Sequence, residues 1–185
     1  MTTWTDLQID LETAGLPPDG AVMSIGAVFF DLDTCTLGPK FSCTINLATA
    51  VRDGGTMNPG TFIWWLGQSQ AARDSVRFSG DDIRTVLTDF AAFIAEHSRV
   101  QDVRPWGNGA SFDLTILNSA YQRAGIKTPW SPFRERCFRT VRNLYPAIEY
   151  NTDDKGEGAH NALEDAIFQA KHLLKIKNRN KKAAA

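Results

Sequence analysis

Three short stretches of this sequence carry residues that could do chemistry together. They are an Asp-x-Glu pair near the start, an aspartate in the middle and a histidine–aspartate pair near the end, namely Asp10, Glu12, Asp113, His160 and Asp165. Carboxylate oxygens are the ligands that hard divalent cations such as Mg²⁺ prefer, and an imidazole can take a proton from water at neutral pH. If the fold gathers these side chains, they predict a metal-assisted site for hydrolysing phosphodiester bonds.

Each stretch also has a simpler explanation when it is taken alone. Asp10 and Glu12 lie two residues apart on a predicted strand and share one face of it, as an ordinary exposed strand end would allow. Asp113 begins a predicted helix, where a carboxylate gains from the helix dipole. His160 precedes the last helix and could be structural or solvated. The functional interpretation therefore depends on the three stretches occurring together.

The predicted elements around these residues alternate between strands and helices. Hydrophobic patterns predict strands at 4–11, 22–30, 40–46 and 103–106, a turn at 33–39 and a weak strand before the last helix. Helices are predicted to begin at Asn58–Pro59 and to cover Ile83–Ile94, 112–124 and 162–175. The predicted caps are, in the same order, Asn58, the pair Ser79 and Asp82, Gly125, and the pair Asn161 and Glu164. Short connections make the first three strands antiparallel neighbours. The order predicts an α/β layer fold with a mixed sheet.

Length and composition indicate one soluble globular domain. The chain has 185 residues, of which 43% are hydrophobic and 22% charged. No apolar stretch is long enough to span a bilayer, and the start lacks the features of a signal peptide, so we expect a cytoplasmic location and no membrane partner. The three cysteines have no Cys-x-x-Cys spacing, which argues against a disulfide framework or a zinc site and predicts buried small side chains.

The net charge of −1 hides an asymmetry. Five basic residues and no acidic ones lie at the end (Lys175, Lys177, Arg179, Lys181 and Lys182), which leaves 15 basic against 21 acidic residues in the rest. Such an acidic body suits nucleic acid only if bound metal neutralises several carboxylates. The basic end is either an arm that touches phosphates or a solvated helix end. We assign residues 1–176 to a single domain and expect residues 177–185 to be a disordered basic tail.

At these three stretches the sequence resembles the DEDDh exonucleases, the histidine-bearing branch of the DnaQ-like, RNase H-fold superfamily. That family's motifs are D-x-E, N-x(2–3)-[FY]-D and H-x(4)-D, and they occur here in order as Asp10–Glu12, Asn108–Asp113 and His160–Asp165. Further motifs look like the small phage and bacterial 3′–5′ exonucleases grouped with the Rv2179c-like and DexA-like enzymes. They are Trp64-Trp65-x-x-Gln68, Trp106–Asp113, Pro129-Trp130 and Arg136-Cys-Phe-Arg-Thr140.

The resemblance implies an RNase H-like fold, with three antiparallel N-terminal strands in a mixed sheet and helices on both faces. It implies a 3′–5′ exonuclease that releases nucleoside 5′-monophosphates from single-stranded DNA or RNA, in the cytoplasm of a bacterium or a phage-infected cell. Asp10, Glu12, Asp113 and Asp165 would hold two Mg²⁺ or Mn²⁺ ions, and His160 would be the general base. The substrate-binding residues expected with them are Thr13, Gly15, Trp65, Asn108 and Phe112. The likeness also points to a homodimer.

Two alternatives stay open: an oligoribonuclease-like enzyme for short RNA, and a catalytically silent nucleic-acid-binding or polymerase-associated subunit. Two sequence features bear on the substrate. Adjacent helical residues face about 100° apart, so we expect one of Trp64 and Trp65 in the core and the other near the cleft, where it could stack on a base. The basic stretch 123–142 either contacts phosphates or is a solvated surface.

Overall fold

The computed structural model describes residues 3–77, 80–109, 111–151 and 160–183. Its strands are β1 (Asp6–Thr13), β2 (Val22–Asp31), β3 (Thr36–Thr44), β4 (Arg104–Gly107) and β5 (Arg136–Cys137). Its α-helices are α1 (Leu47–Arg52), α2 (Pro59–Leu66), α3 (Gln70–Arg77), α4 (Ile83–His97), α5 (Asp113–Ala124), α6 (Phe138–Leu144) and α7 (Ala162–Ala183), with a short 3₁₀ turn at Pro132–Arg134. Strands therefore come first and helices dominate the rest, as predicted.

The five strands form one mixed sheet in the order β3–β2–β1–β4–β5. β1, β2 and β3 are antiparallel neighbours, whereas β4 runs parallel to β1, and β5 parallel to β4. The predicted α/β fold with a mixed sheet is confirmed. β3 begins at Thr36 rather than at residue 40, because the preceding turn is shorter than predicted. Asp31 Oδ1 closes that turn by accepting the N–H groups of Asp33 (2.6 Å) and Thr34 (3.0 Å).

Helices cover both faces of the sheet. On β1 the odd-numbered Leu7, Ile9 and Leu11 are buried in a core shared with α4 and α5. The opposite face is covered by α7, which packs across β1, β2 and β3 and shares a second core with α6. Since side chains alternate along a strand, the polar even-numbered residues of β1 (Asp6, Gln8, Asp10 and Glu12) lie under α7, where they are buried.

The predicted helix caps are confirmed for the residues that the structure describes. Asn58 Oδ1 accepts from the Thr61 N–H at 3.0 Å, and Gly125 ends α5 with a φ of 68°. Asn161 Oδ1 accepts from the N–H groups of Leu163 and Glu164. The N-cap of α4 is Asp82, which accepts from the Arg84 N–H; Ser79, expected to share in that cap, lies outside the described residues.

Two features of the helices differ from the prediction. The short helices α1, α3 and α6 were not expected, and α7 continues to Ala183 instead of ending near Lys175. The reason for the longer helix is that the segment contains no glycine or proline and is rich in lysine, a good helix former. α7 thereby enters the segment expected to be a disordered tail, while the domain boundary at residue 176 stays a prediction.

The three cysteines are free thiols, and each is half-buried rather than fully buried as expected. Within the described residues, no helix is both long enough and apolar enough to cross a membrane.

Candidate active site

The structure brings the five predicted catalytic side chains together at one end of β1. Asp10 and Glu12 come from β1, Asp113 from the first residue of α5, and Asp165 from the first turn of α7. All four carboxylates are buried. Glu12, His160 and Asp165 each offer a possible ligand atom, and these three atoms lie within 4.8 Å of one another.

Asp113 is tied to β1 because β4 ends early. β4 pairs with β1 only as far as Gln8, which leaves the Leu11 N–H available to a side chain. Asp113 Oδ1 accepts that N–H at 3.3 Å, and its Oδ2 accepts the N–H of Asn108 at 2.7 Å. The carboxylate therefore anchors α5 to β1 and to the loop after β4. Its role is thus larger than an interaction with the dipole of its own helix.

Burial disfavours the ionised forms of Asp10 and Asp113. Burial, followed by the nearby charges of Asp113, Glu12 and Asp165, raises the pKa of Asp10 well above its usual range, against a hydrogen bond from Gln169 that lowers it. Burial also raises the pKa of Asp113 to about 6, although its backbone hydrogen bonds and then the Arg139 guanidinium favour the ionised form. A cation among these groups would relieve both the repulsion and the desolvation.

His160 is held from two sides at the entrance to α7. Its backbone has a φ of 64°, a left-handed conformation that histidine tolerates better than most residues. The single O–H of Ser75 in α3 is shared between the carbonyls of Ala72 (2.8 Å) and His160 (3.1 Å). The ring of Trp64 lies perpendicular to the imidazole, with centroids 4.9 Å apart. The unexpected helix α3 thus helps to position the histidine.

Gly26 on β2 lets α7 approach the sheet at the level of the site. Gly26 is the register partner of Asp10, and a Cβ placed on it would lie 2.1 Å from both Ala162 C and Leu163 N. Real Cβ contacts are essentially never that short, so only glycine allows this packing. The close approach brings the first turn of α7, with Asp165, next to Asp10.

Four of the five predicted substrate-binding residues border a cavity of about 240 Å³ beside the carboxylates. They are Thr13, Gly15, Trp65 and Phe112, and Glu12 and Trp64 border it as well. As expected of the tryptophan pair, one member is buried and the other lies at the cleft. Trp65 is buried with its Nε1 donating to the Thr13 carbonyl at 3.0 Å, whereas Trp64 is 45% exposed.

The fifth, Asn108, does not border this cavity and contacts the site through its backbone. Its N–H donates to Asp113, and its carbonyl accepts from Arg139 Nη2 at 2.7 Å. Arg139 is exposed, so its other N–H groups face the solvent at the edge of the site. In the basic stretch 123–142, Arg139 lies beside Asp113, Arg123 is bonded to Asp19, and Arg142 lies over Tyr150.

Sequence reasoning missed three residues that shape the site. Gly26 lies inside a largely apolar strand, which is a signal of close backbone approach. Gln8 lies two residues before Asp10 and so shares its face of β1. Gln169 lies four residues after Asp165, on the same side of α7. Gln8 and Gln169 are both buried beside Asp10.

Comparison with known proteins connects this arrangement to a family. The sequence profile of the 3′–5′ exoribonuclease Rv2179c-like domain matches residues 5–177. No curated protein matches the chain significantly in sequence.

Solved structures share the fold at low sequence identity. E. coli exonuclease I in complex with a dT13 oligonucleotide superposes with a TM-score of 0.69 and 18% identity, over 98% of this chain and 42% of that chain. The nuclease domain of 3′hExo, a DEDDh family member bound to rAMP, superposes with a TM-score of 0.60 and 15% identity. The match covers 94% of this chain and 92% of that chain. Cell-death related nuclease 4 (CRN-4) superposes with a TM-score of 0.61 and 15% identity, over 96% of this chain and 64% of that chain.

The chain therefore has the DnaQ-like, RNase H-type fold, and it spans about two fifths of the length of exonuclease I. The DEDDh motifs occur in the family's order, and the family profile covers nearly the whole chain. The chain belongs to the Rv2179c-like 3′–5′ exoribonuclease domain family.

Proposed function

We propose that this protein is a metal-dependent exonuclease that removes nucleoside 5′-monophosphates from the 3′ end of single-stranded nucleic acid. The observation that carries the proposal is the gathering of four buried carboxylates and His160 beside a cavity of about 240 Å³. A cavity of this size suits one nucleoside rather than a duplex, and it lies directly beside Glu12. A terminal nucleotide seated there would place its phosphate at the carboxylates.

The side chains at this site fit divalent cations. Burial and the neighbouring carboxylates raise the pKa of Asp10, and a bound cation would stabilise its ionised form, while oxygen ligands suit Mg²⁺ or Mn²⁺. Asp10, Glu12, Asp113 and Asp165 would hold two such ions. Bound there, the ions would supply charge stabilisation at the phosphoryl group and favour the ionisation of water.

His160 would act as the general base. A water attacks the phosphorus atom, and its proton passes to the imidazole. The bond from phosphorus to the 3′ oxygen of the preceding nucleotide breaks, that oxygen takes up a proton, and the phosphate leaves on the 5′ carbon of the released nucleoside. Trp64 limits the rotation of the imidazole by its perpendicular contact, and such positioning contributes to the rate.

Side chains around the cavity would bind the strand. The half-exposed indole of Trp64 offers a face on which a base could stack, while the backbone from Thr13 to Gly15 would meet the terminal sugar. Trp65 would support this wall through its bond to the Thr13 carbonyl. Arg139, fixed by Asn108 and exposed, would contact a backbone phosphate.

The test uses 5′-labelled single-stranded DNA and RNA of matched sequence, with Mg²⁺ or Mn²⁺ and with EDTA as the control. The proposal expects a ladder that shortens from the 3′ end, nucleoside 5′-monophosphate as the product, and no cleavage of a circular strand. Asp113→Ala is expected to be inactive with Mg²⁺. Cleavage of the circular strand, or near-wild-type activity in Asp113→Ala, would overturn the assignment.

A second candidate is an enzyme restricted to short RNA. It is favoured by the family's description as an exoribonuclease domain. A length series of short to long RNA and DNA strands separates the candidates, because a short-RNA enzyme stalls on long strands. The homodimer expected from the resemblance gains no support from these findings, and the cytoplasmic location stays a prediction.

A further inference from the structure

Two buried amides connect the interior of the sheet to Asp10. Gln169 Nε2 of α7 donates to Asp10 Oδ1 at 2.6 Å, and Gln8 Nε2 of β1 donates to Gln169 Oε1 at 2.7 Å. Gln8 and Gln169 are 0% and 1% exposed. Both amides therefore lie where water cannot replace a missing hydrogen bond.

The direction of this chain of hydrogen bonds is fixed at the Gln8 end. One N–H of Gln8 Nε2 points to Gln169, and the second is shared between the carbonyl oxygens of Ile9 and Trp106, each 3.2 Å from Nε2. If the Gln8 amide turned over, its oxygen would face those carbonyl oxygens and repel them. Gln8 must therefore present an N–H to Gln169 Oε1, which leaves Gln169 with its own N–H directed at Asp10.

We propose that Gln169, held in this orientation by Gln8, is a positioning residue for the metal ligand Asp10. This inference rests on the proposed function. Asp10 lies among three carboxylates whose charges disfavour its own, so an unrestrained side chain would rotate to reduce that repulsion. The Gln169 donor holds one Asp10 oxygen in place, and the second oxygen is then the one presented to a cation.

The stability cost of the pair supports a role beyond packing. Gln8 Oε1 is buried and has no hydrogen-bond partner within the described residues, and such an unpaired group is destabilising. Apolar residues fill the neighbouring positions on the opposite face of β1 and along α7, where no such cost arises. Partners that orient metal ligands commonly affect metal affinity or activity about 10- to 100-fold.

The test compares Gln169→Met, Gln8→Met and the double variant with the wild-type protein. Mn²⁺ affinity is measured without substrate by calorimetry or electron paramagnetic resonance, together with the metal-free melting temperature, kcat and KM. Gln169→Met is expected to weaken Mn²⁺ binding about 10- to 100-fold and to lower kcat, with little change in KM. Gln8→Met should have a smaller effect in the same direction.

The double variant decides whether the two amides act as one unit. If Gln8 acts only through Gln169, adding Gln8→Met to Gln169→Met changes Mn²⁺ affinity no further, whereas independent effects would add. Asn118→Leu is the matched control, because it removes a half-buried amide that donates to Glu135 away from the site. It should lower stability and leave Mn²⁺ affinity unchanged.

The outcomes also separate this inference from the proposed function. Wild-type Mn²⁺ affinity in a folded Gln169→Met, with a melting temperature lowered as in Asn118→Leu, would overturn the positioning role alone. If Gln169→Met does not fold, Gln8→Met carries the test, and unchanged Mn²⁺ affinity there would overturn it. A wild-type protein that neither binds Mn²⁺ nor degrades nucleic acid would overturn the proposed function itself.

Discussion

Trp64 meets His160 at a right angle, with ring centroids 4.9 Å apart and an angle of 88° between the planes. The same indole contacts Trp65, whose ring is 5.1 Å away and tilted by 79°. Trp65 is in turn bonded to the carbonyl of Thr13 at the end of β1. One pair of aromatic side chains therefore connects the strand that carries Asp10 and Glu12 to the histidine that precedes α7.

Replacing Trp64 by alanine is expected to raise KM and lower kcat. Loss of a stacking surface costs about 1–3 kcal/mol per base, and loss of the perpendicular contact frees the imidazole. Trp64→Phe should recover most of both parameters. Steady-state kinetics on a short single strand measure them, with Ile63→Ala as the control, since Ile63 is the preceding residue and 65% exposed. Unchanged KM and kcat in Trp64→Ala would remove the indole from substrate handling.

His160→Ala is expected to lower kcat by about 10²- to 10⁴-fold, the usual contribution of a general base, with Mn²⁺ affinity almost unchanged. His160 lies close enough to Glu12 and Asp165 to be a ligand instead, but Mg²⁺ prefers oxygen. Metal titration alongside single-turnover kinetics distinguishes these roles. A variant that loses metal binding would reassign the histidine as a ligand.

The metal-free protein is expected to lose stability as the pH rises from about 4 to above 6. Burial raises the pKa of Asp113 from 3.8 to about 6, and burial with neighbouring carboxylates raises that of Asp10. The folded state then binds more protons than the unfolded chain in this window, so their stabilising effect is complete at low pH and is lost as the pH passes the folded pKa.

Asp10→Asn tests this pH dependence. The amide can still accept the Gln169 hydrogen bond but carries no charge. Near pH 7 with EDTA, we expect a melting temperature roughly 2–4 °C above wild type, the shift that about 1 kcal/mol produces in a chain of this size. The difference should shrink towards pH 4. A pH-independent difference measured by calorimetry would show that charge repulsion is not its cause.

Gly26→Ala is expected to reduce activity more than stability. The added methyl group would meet the backbone of Ala162 and Leu163, and overpacking of this kind costs about 1–3 kcal/mol. Relief requires α7 to move away from β2, which carries Asp165 away from Asp10. Gly67→Ala is the matched control, because Gly67 ends α2 with a right-handed φ of −82°. Full activity in a folded Gly26→Ala would show that the site tolerates this shift.

Arg139→Met is expected to raise KM for single-stranded substrates several-fold and to make KM less sensitive to salt. The reason is that fewer counterions are released on binding when the protein neutralises one phosphate fewer. The control is Arg99→Met, which removes an exposed arginine paired with Asp102. That pair lies in the turn before β4, whereas the site lies at the other end of β4. Measurements of KM between about 50 and 200 mM salt test the assignment. A wild-type salt dependence in Arg139→Met would contradict a phosphate contact.

The strands and the residues they carry could be predicted from local sequence patterns. Contacts between residues far apart in the sequence could not. The alternation that buries Leu7, Ile9 and Leu11 also sets Asp10 and Glu12 on one face, so the strand and its chemistry were predictable together. The Gln8–Gln169 bond joins residues 161 positions apart, and no local pattern indicates it. The polar helix α3 was missed because a short helix depends on tertiary contacts for its stability.

The docking of α7 against Gly26 determines when the proposed site forms during synthesis of the chain. Asp10 and Glu12 leave the ribosome early, whereas His160 and Asp165 follow only after β1–β5 and α1–α6 have been made. Until α7 docks on β2, the polar face of β1 is uncovered, and the predicted catalytic residues are divided between elements already made and a segment not yet packed against them. A chain made only as far as α6 therefore lacks His160 and Asp165 and cannot form the proposed site, whatever nucleic acid lies beside it.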